Sequence, residues 1–189
     1  MKATKDRIIE VAIHNIKSMG QISNLTMASL AQDANIGKST IYEYFKSKKE
    51  VMKEAITKIV ECYTSGFLRL KLTTFEDSFF SHMQYLMDSI EECWSFARVI
   101  NRENKSIKVI SEETMKLICK SQEIYIKRMM EIFHLGFLEN KIKNDITSDD
   151  YVIMGLLNGI FGLYGSKQIQ DQKEEIIKNL YRTILKIRG

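Results

Sequence analysis

Between Lys38 and Tyr44 the chain reads KSTIYEY, and most of these side chains can donate or accept a hydrogen bond. Lys38, Ser39, Thr40, Tyr42 and Tyr44 can donate to phosphate oxygens or base edges. Glu43 can only accept, as from the exocyclic amine of cytosine. Ile41 and Phe45 lie four apart, so a helix here turns both inward and leaves the polar set outside. Solvated helix faces are usually built of Glu, Lys and Gln. A face of hydroxyls and phenols with a lysine at its start suits a nucleic-acid groove wide enough to admit a helix. A merely solvated face is the alternative reading of these residues alone.

Such a face is useful only if it is held rigidly. Immediately upstream, Met27, Leu30, Ala31 and Ala34 recur at three- and four-residue steps, the spacing of one helix face. Thr26 stands before them as an N-cap. The corner between the two helices is Asn35-Ile36-Gly37. Asn tolerates the left-handed backbone that ends a helix, and Ile36 can plug the angle. A first helix is expected from about Lys5 to Met19, capped by Thr4, with Ile8, Ala12, Ile16 and Met19 inward. A fourth should start at Ser47, where Ser47-x-x-Glu50 has the form of a capping box. Val51, Ala55, Ile59, Tyr63 and Phe67 mark its inward steps to about Leu70. Lys46, Lys48 and Lys49 gather at its N-terminus, where the helix dipole already favours anions. Solubility is the alternative role for these lysines.

From Thr4 to about Ala55 these features resemble the DNA-binding domain of the tetracycline-repressor (TetR/AcrR) family of bacterial regulators. The matching residues are Ile8, Ile9 and Ala12, then Gly20, then Thr26, Leu30, Ala31, Ala34 and Ile36. They continue through Lys38-Ser39-Thr40-Ile41-Tyr42-Glu43-Tyr44-Phe45 and close on Ser47-Lys48 and Val51. The chain departs from the family pattern at the corner, where Asn35 replaces a Gly, and at the cap, where Gly37 replaces a Ser. The resemblance implies a helix-turn-helix reader of double-stranded DNA, with Lys48 at a phosphate-contacting position. Lys38, Ser39, Thr40 and Glu43 are the expected base-edge residues, and Thr26, Tyr42, Tyr44 and Lys48 the expected phosphate residues.

Composition agrees with a DNA partner. The 189 residues suffice to bury a real core, with 44% apolar and 28% charged residues and no proline. Residues 1–60 carry ten Lys/Arg against six Asp/Glu, whereas residues 61–189 carry eighteen of each. The whole basic excess thus falls beside the expected reader. Cys62, Cys93 and Cys119 are isolated and are expected to act as small buried hydrophobes in a reducing cytosol. MKATKDRIIE lacks the apolar core of a signal peptide, and no run is long enough for a membrane span, so the chain is expected to be cytoplasmic. No Ser/His/Asp set, metal-ligand spacing, glycine-rich phosphate loop or paired-carboxylate motif occurs. Neither an enzyme nor a cofactor or metal site is expected.

After Leu72 the pattern stays helical, with helices expected at about 75–93, 95–104, 110–139, 148–166 and 171–187. The fold class is all-α: a three-helix DNA-binding domain over residues 1–47, then a helical effector-binding and dimerisation domain over 48–189. Phe79, His82, Met83, Trp94, Tyr125, Met129 and Phe133 are the side chains expected to line an effector pocket, although Met and aromatics are also ordinary core fillers. In YVIMGLLNGIFGLYG, Gly155, Gly159 and Gly162 fall on one side of a helix. Three glycines together suggest close packing against another helix. With Phe161, and with Leu180 and Ile184 of the last helix, they resemble the family's dimerisation pair; an intramolecular hairpin is the alternative. The resemblance implies a homodimeric repressor on a pseudo-palindromic operator, released by a small molecule. An effector-independent DNA-binding protein acting through protein partners is the rival reading.

Overall fold

The computed structural model describes residues 4–19, 25–93, 111–147, 149–169 and 172–189. Trp94, Gly20, Ser148 and the helix expected at 95–104 lie outside the described residues. Among the described residues all regular structure is helical. The helices are α1 (Thr4–Met19), α2 (Met27–Asp33), α3 (Lys38–Tyr44), α4 (Lys48–Arg69), α5 (Phe75–Glu92), α6 (Glu112–Leu138), α7 (Tyr151–Gly165) and α8 (Lys173–Arg188). Their ends fall within a few residues of those expected from apolar periodicity. None is long and apolar enough to cross a membrane.

The chain divides into two compact units, residues 1–62 with 92–119, and residues 63–91 with 120–189. In the first, Ile8, Ala12 and Ile16 of α1 are buried with Leu30 and Ala31 of α2, Ile41 of α3, and Val51, Met52, Ala55 and Ile56 of α4. A second contact ties α1 to the end of α2: buried Asn15 donates to Asp33 Oδ2 at 3.0 Å. Apolar spacing gives no sign of this pair, because an Asn inside a helix reads as a solvated position.

The second unit is built on aromatic side chains. Phe75 and Phe79 of α5, Phe133 of α6 and Tyr181 of α8 are buried together, with Phe79 6.4 Å from Phe133 and 5.4 Å from Tyr181 between ring centroids. Burial, helped by the Glu76 carboxylate, pushes the Tyr181 phenol up to about 12. α4 and α5 approach closely where Gly66 lies against Tyr85, whose hydroxyl donates to the Tyr63 carbonyl at 3.1 Å. A Cβ on Gly66 would overlap that hydroxyl. Asp150 caps α7 by accepting from the Ile153 N–H at 3.2 Å.

The cysteines need a correction. Cys93 is buried, but Cys62 and Cys119 are exposed. They occupy outward positions of α4 and α6, so their small size and apolar character do not place them in the core.

Candidate nucleic-acid interface and body cavity

The helix pair α2–α3 is fixed by its own backbone. Thr26 Oγ1 accepts from the Ser29 N–H and Ser29 Oγ accepts from the Thr26 N–H, both at 3.0 Å, a reciprocal capping box. The far end of α2 closes with Asn35 N–H donating to the Gln32 carbonyl at 2.9 Å and Ile36 N–H to the Ala31 carbonyl at 3.0 Å. This is the paired closure of a Schellman motif. It requires a left-handed residue, and Asn35 supplies it with φ 51°. Asn thus does the work for which glycine is the commoner choice. Gly37 is different: its φ of −63° and ψ of 147° are open to any residue, and α3 has no side-chain cap.

In α3, Ile41 is fully buried and Phe45, just past its end, is 2% exposed. The Lys5 ammonium lies 5.4 Å from the centre of the Phe45 ring and pairs with Glu54 at 2.8 Å. Lys5 is therefore engaged in tying α1 to α4 and to the end of α3. The two anchors leave Lys38, Ser39, Tyr42, Glu43 and Tyr44 exposed and Thr40 half-buried. Tyr42 and Tyr44 expose 49% and 42% of their surfaces, high for aromatic residues. Thr26 is exposed next to this set, with its hydroxyl engaged in the α2 cap.

α4 begins beside them. Ser47 Oγ accepts from the Glu50 N–H at 3.4 Å, but the Glu50 carboxylate reaches past Ser47 to the Lys46 N–H, at 2.7 Å. The expected box is therefore displaced by one residue on its return arm. Lys48 opens α4 half-buried, and that burial draws its ammonium below the ordinary lysine value. A phosphate beside it would favour the charged form.

The body carries a cavity of about 300 Å³ within the second unit. α6 contributes Gln122, Tyr125, Ile126 and Met129, a stripe at steps of three and four. α7 contributes Met154, Leu157, Asn158 and Phe161 at the same steps, and Leu86 comes from α5. Two of the expected pocket residues, Tyr125 and Met129, line it. Phe79, His82, Met83 and Phe133 do not; all four are buried among core side chains. His82 stacks edge-on against Phe67 at 5.0 Å and holds the Ser78 carbonyl through Nδ1 at 2.7 Å. Burial holds its imidazole below the ordinary histidine range. The stripes on α6 and α7 each repeat one face without a charged residue on it, a pattern that marks a buried side of each helix but not a cavity between them.

α7 contains no charged residue. Among the described residues a Cβ on Gly155, Gly159 or Gly162 would meet nothing within 4 Å. Tyr151 and Val152 on the same helix are 81% and 63% exposed. Among the described residues the glycines therefore have no packing partner, and the hairpin alternative gains no contact from them there. Phe161 faces the cavity. Leu180 and Ile184 are buried in the subunit's own core, because α8 turns its apolar stripe inward.

The family model for bacterial regulatory proteins of the tetR family matches residues 18–55. No curated protein matches the chain. Among solved structures, a tetR-family regulatory protein from Rhodococcus RHA1 shares 14% identity, covering 100% of this chain and 98% of its own, with a TM-score of 0.70. FadR from Bacillus subtilis, solved in complex with stearoyl-CoA, shares 14% over 95% of this chain and 97% of its own, with a TM-score of 0.63. The superantigen PfiT shares 15% over 99% and 96%, with a TM-score of 0.72, so the fold alone does not dictate a role. Residues 18–55, with their capped corner and anchored α3, thus match the DNA-binding segment of the tetR family of bacterial regulatory proteins, and the chain as a whole has the fold of solved tetR-family regulators.

Proposed function

We propose that the chain is a homodimeric, sequence-specific transcriptional repressor, released from DNA by a small-molecule effector. The observation that carries the reading is α3: two buried anchors present a face of hydroxyls, phenols, Lys38 and Glu43 to solvent, inside the matched segment. Lys38, Ser39, Thr40 and Glu43 read base edges in a major groove, and Tyr42, Tyr44, Lys48 and Thr26 hold phosphate. Residues 1–47 act as the reading head and residues 48–189 as the effector and dimerisation part.

Two copies are needed because one seven-residue helix contacts too few bases for high affinity. A dimer places two heads on half-sites one turn (~34 Å) or a multiple apart. The open face of α7, with Val152, Gly155, Gly159 and Gly162, supports that partner. From α8 the exposed Ile187 is better placed to join it than the buried Leu180 or Ile184. The cavity supports an effector rather than the effector-independent alternative, which a filled body would favour. Because α7 lines the cavity on one side and carries the glycine face on another, a ligand can bias the arrangement of two heads. It does so only through different affinities for the two arrangements.

The test is binding to the DNA upstream of the protein's own coding sequence, at several salt concentrations. A footprint of two related half-sites, lost on addition of one metabolite fraction, supports the reading. Binding with no sequence preference, vanishing as salt rises, would refute it.

A further inference from the structure

We propose that the cavity between α5, α6 and α7 takes a neutral molecule with an apolar body and a hydrogen-bonding head, held at its mouth by the carboxamides of Gln122 and Asn158. The inference rests on the effector reading for its biological meaning, though not for its chemistry.

The wall sorts by polarity with depth. Met129 and Leu157 are 3% and 2% exposed, whereas Gln122 and Asn158 are exposed, which assigns the first pair to the inner end and the second to the rim. Among the described residues seven of the nine wall side chains are apolar or aromatic, and none is charged. A carboxylate or ammonium drawn against such a wall gives up part of its hydration with no opposite charge among the described lining residues to replace it. A neutral head loses far less. Two methionines, Met129 and Met154, let the apolar end adapt to chains or rings of different outline.

The rim supplies the specificity. Asn158 is the sole amide in an α7 otherwise built of apolar residues, glycine and tyrosine, and asparagine is a poor helix former. Neither its carboxamide nor that of Gln122 has a hydrogen-bond partner among the described residues. Each amide both donates and accepts, so together they match a head that does both, such as an amide or an alcohol. The Tyr125 hydroxyl is less available, being shared with Thr64 Oγ1 at 3.4 Å. On α7 the residues pointing to the cavity (Met154, Asn158 and Phe161) are distinct from the outward glycines, so cavity occupation and a partner at the glycine face do not compete.

The experiment is calorimetric titration of the full chain with three matched compounds: decanamide, decanoate and decylammonium. Decanamide should bind at least about tenfold more tightly than either ion, the scale of hydrogen bonds gained and ion desolvation avoided. Gln122→Leu with Asn158→Leu should flatten that preference. Gln122→Glu should shift it toward decylammonium. Met129→Trp, which fills the inner end, should abolish binding of all three, with circular dichroism reporting the retained fold. Decanoate binding as tightly as decanamide would overturn the proposal. So would the absence of binding by any of the three, or an unchanged preference in the double Leu variant. The titration contains no DNA, so failure of the amide preference leaves the footprint result intact, and the reverse holds too.

Discussion

α3 and α7 are both helices with an exposed face, and they solve opposite problems. α3 buries Ile41 and gives solvent hydroxyls, phenols and charges. α7 buries Ile153 and Leu157 and gives solvent glycine, valine and tyrosine without a single charge. A polar face loses little by waiting in water for a polyanion. An apolar face whose glycines meet nothing among the described residues is better suited to being covered by a partner. On the proposed reading the first is a face for occasional contact with DNA and the second a face for lasting contact with a second copy.

The largest effect should come from breaking the second face. Gly159→Asp puts a charge where a partner helix would have to approach, and should convert dimers to monomers in sedimentation at micromolar concentration. A dimer unaffected by this change would remove α7 from the interface. Next in size is Gly66→Ala, whose new Cβ overlaps the Tyr85 hydroxyl. We expect a loss of roughly 1–3 kcal/mol in chemical denaturation, with DNA contacts untouched. Lys48→Ala tests the first face: affinity should fall alike on all DNA sequences, and the salt slope should drop by about 1. Thr40→Ala should instead blur discrimination at particular bases.

The smaller effects sharpen the contrast. Burial keeps His82 neutral in the folded body, with its affinity for a proton below the ordinary value of 6.5. The unfolded chain therefore takes up that proton first as pH falls, so stability is full above about 6.5 and declines below it. His82→Phe should flatten this part of the pH profile in thermal melts. Finally, Gly37 has an extended backbone and room for a Cβ. Gly37→Ser should supply the missing cap of α3 and add a few tenths of a kcal/mol.

The two faces also differ in how far they could be read from the chain. Helix existence, the corner at Asn35 and the inward pair Ile41 and Phe45 all depend on neighbours within a few residues, where spacing is informative. The cavity does not. Phe79, His82, Met83 and Phe133 have the side chains of a pocket, yet they fill the core, because whether an aromatic meets a void or another ring is decided by where α5, α6 and α8 pack. Gln122 and Asn158 meet the same cavity only because α6 lies along α7, and no local pattern links positions so far apart. Leu180 and Ile184 mislead for the same reason: an amphipathic stripe shows that a helix has a buried side, but not whether the subunit or its partner buries it.

The central claim, that the outward face of α3 reads sequence, is tested most directly by comparing affinity for the upstream DNA with affinity for random DNA of equal length and at equal salt. The wild-type ratio should reach about 10³ or more. It should fall for Thr40→Ala and stay constant for Lys48→Ala, even as both absolute affinities of the latter drop. A wild-type ratio near one on every genomic fragment tried, or a ratio indifferent to Thr40, would contradict the claim.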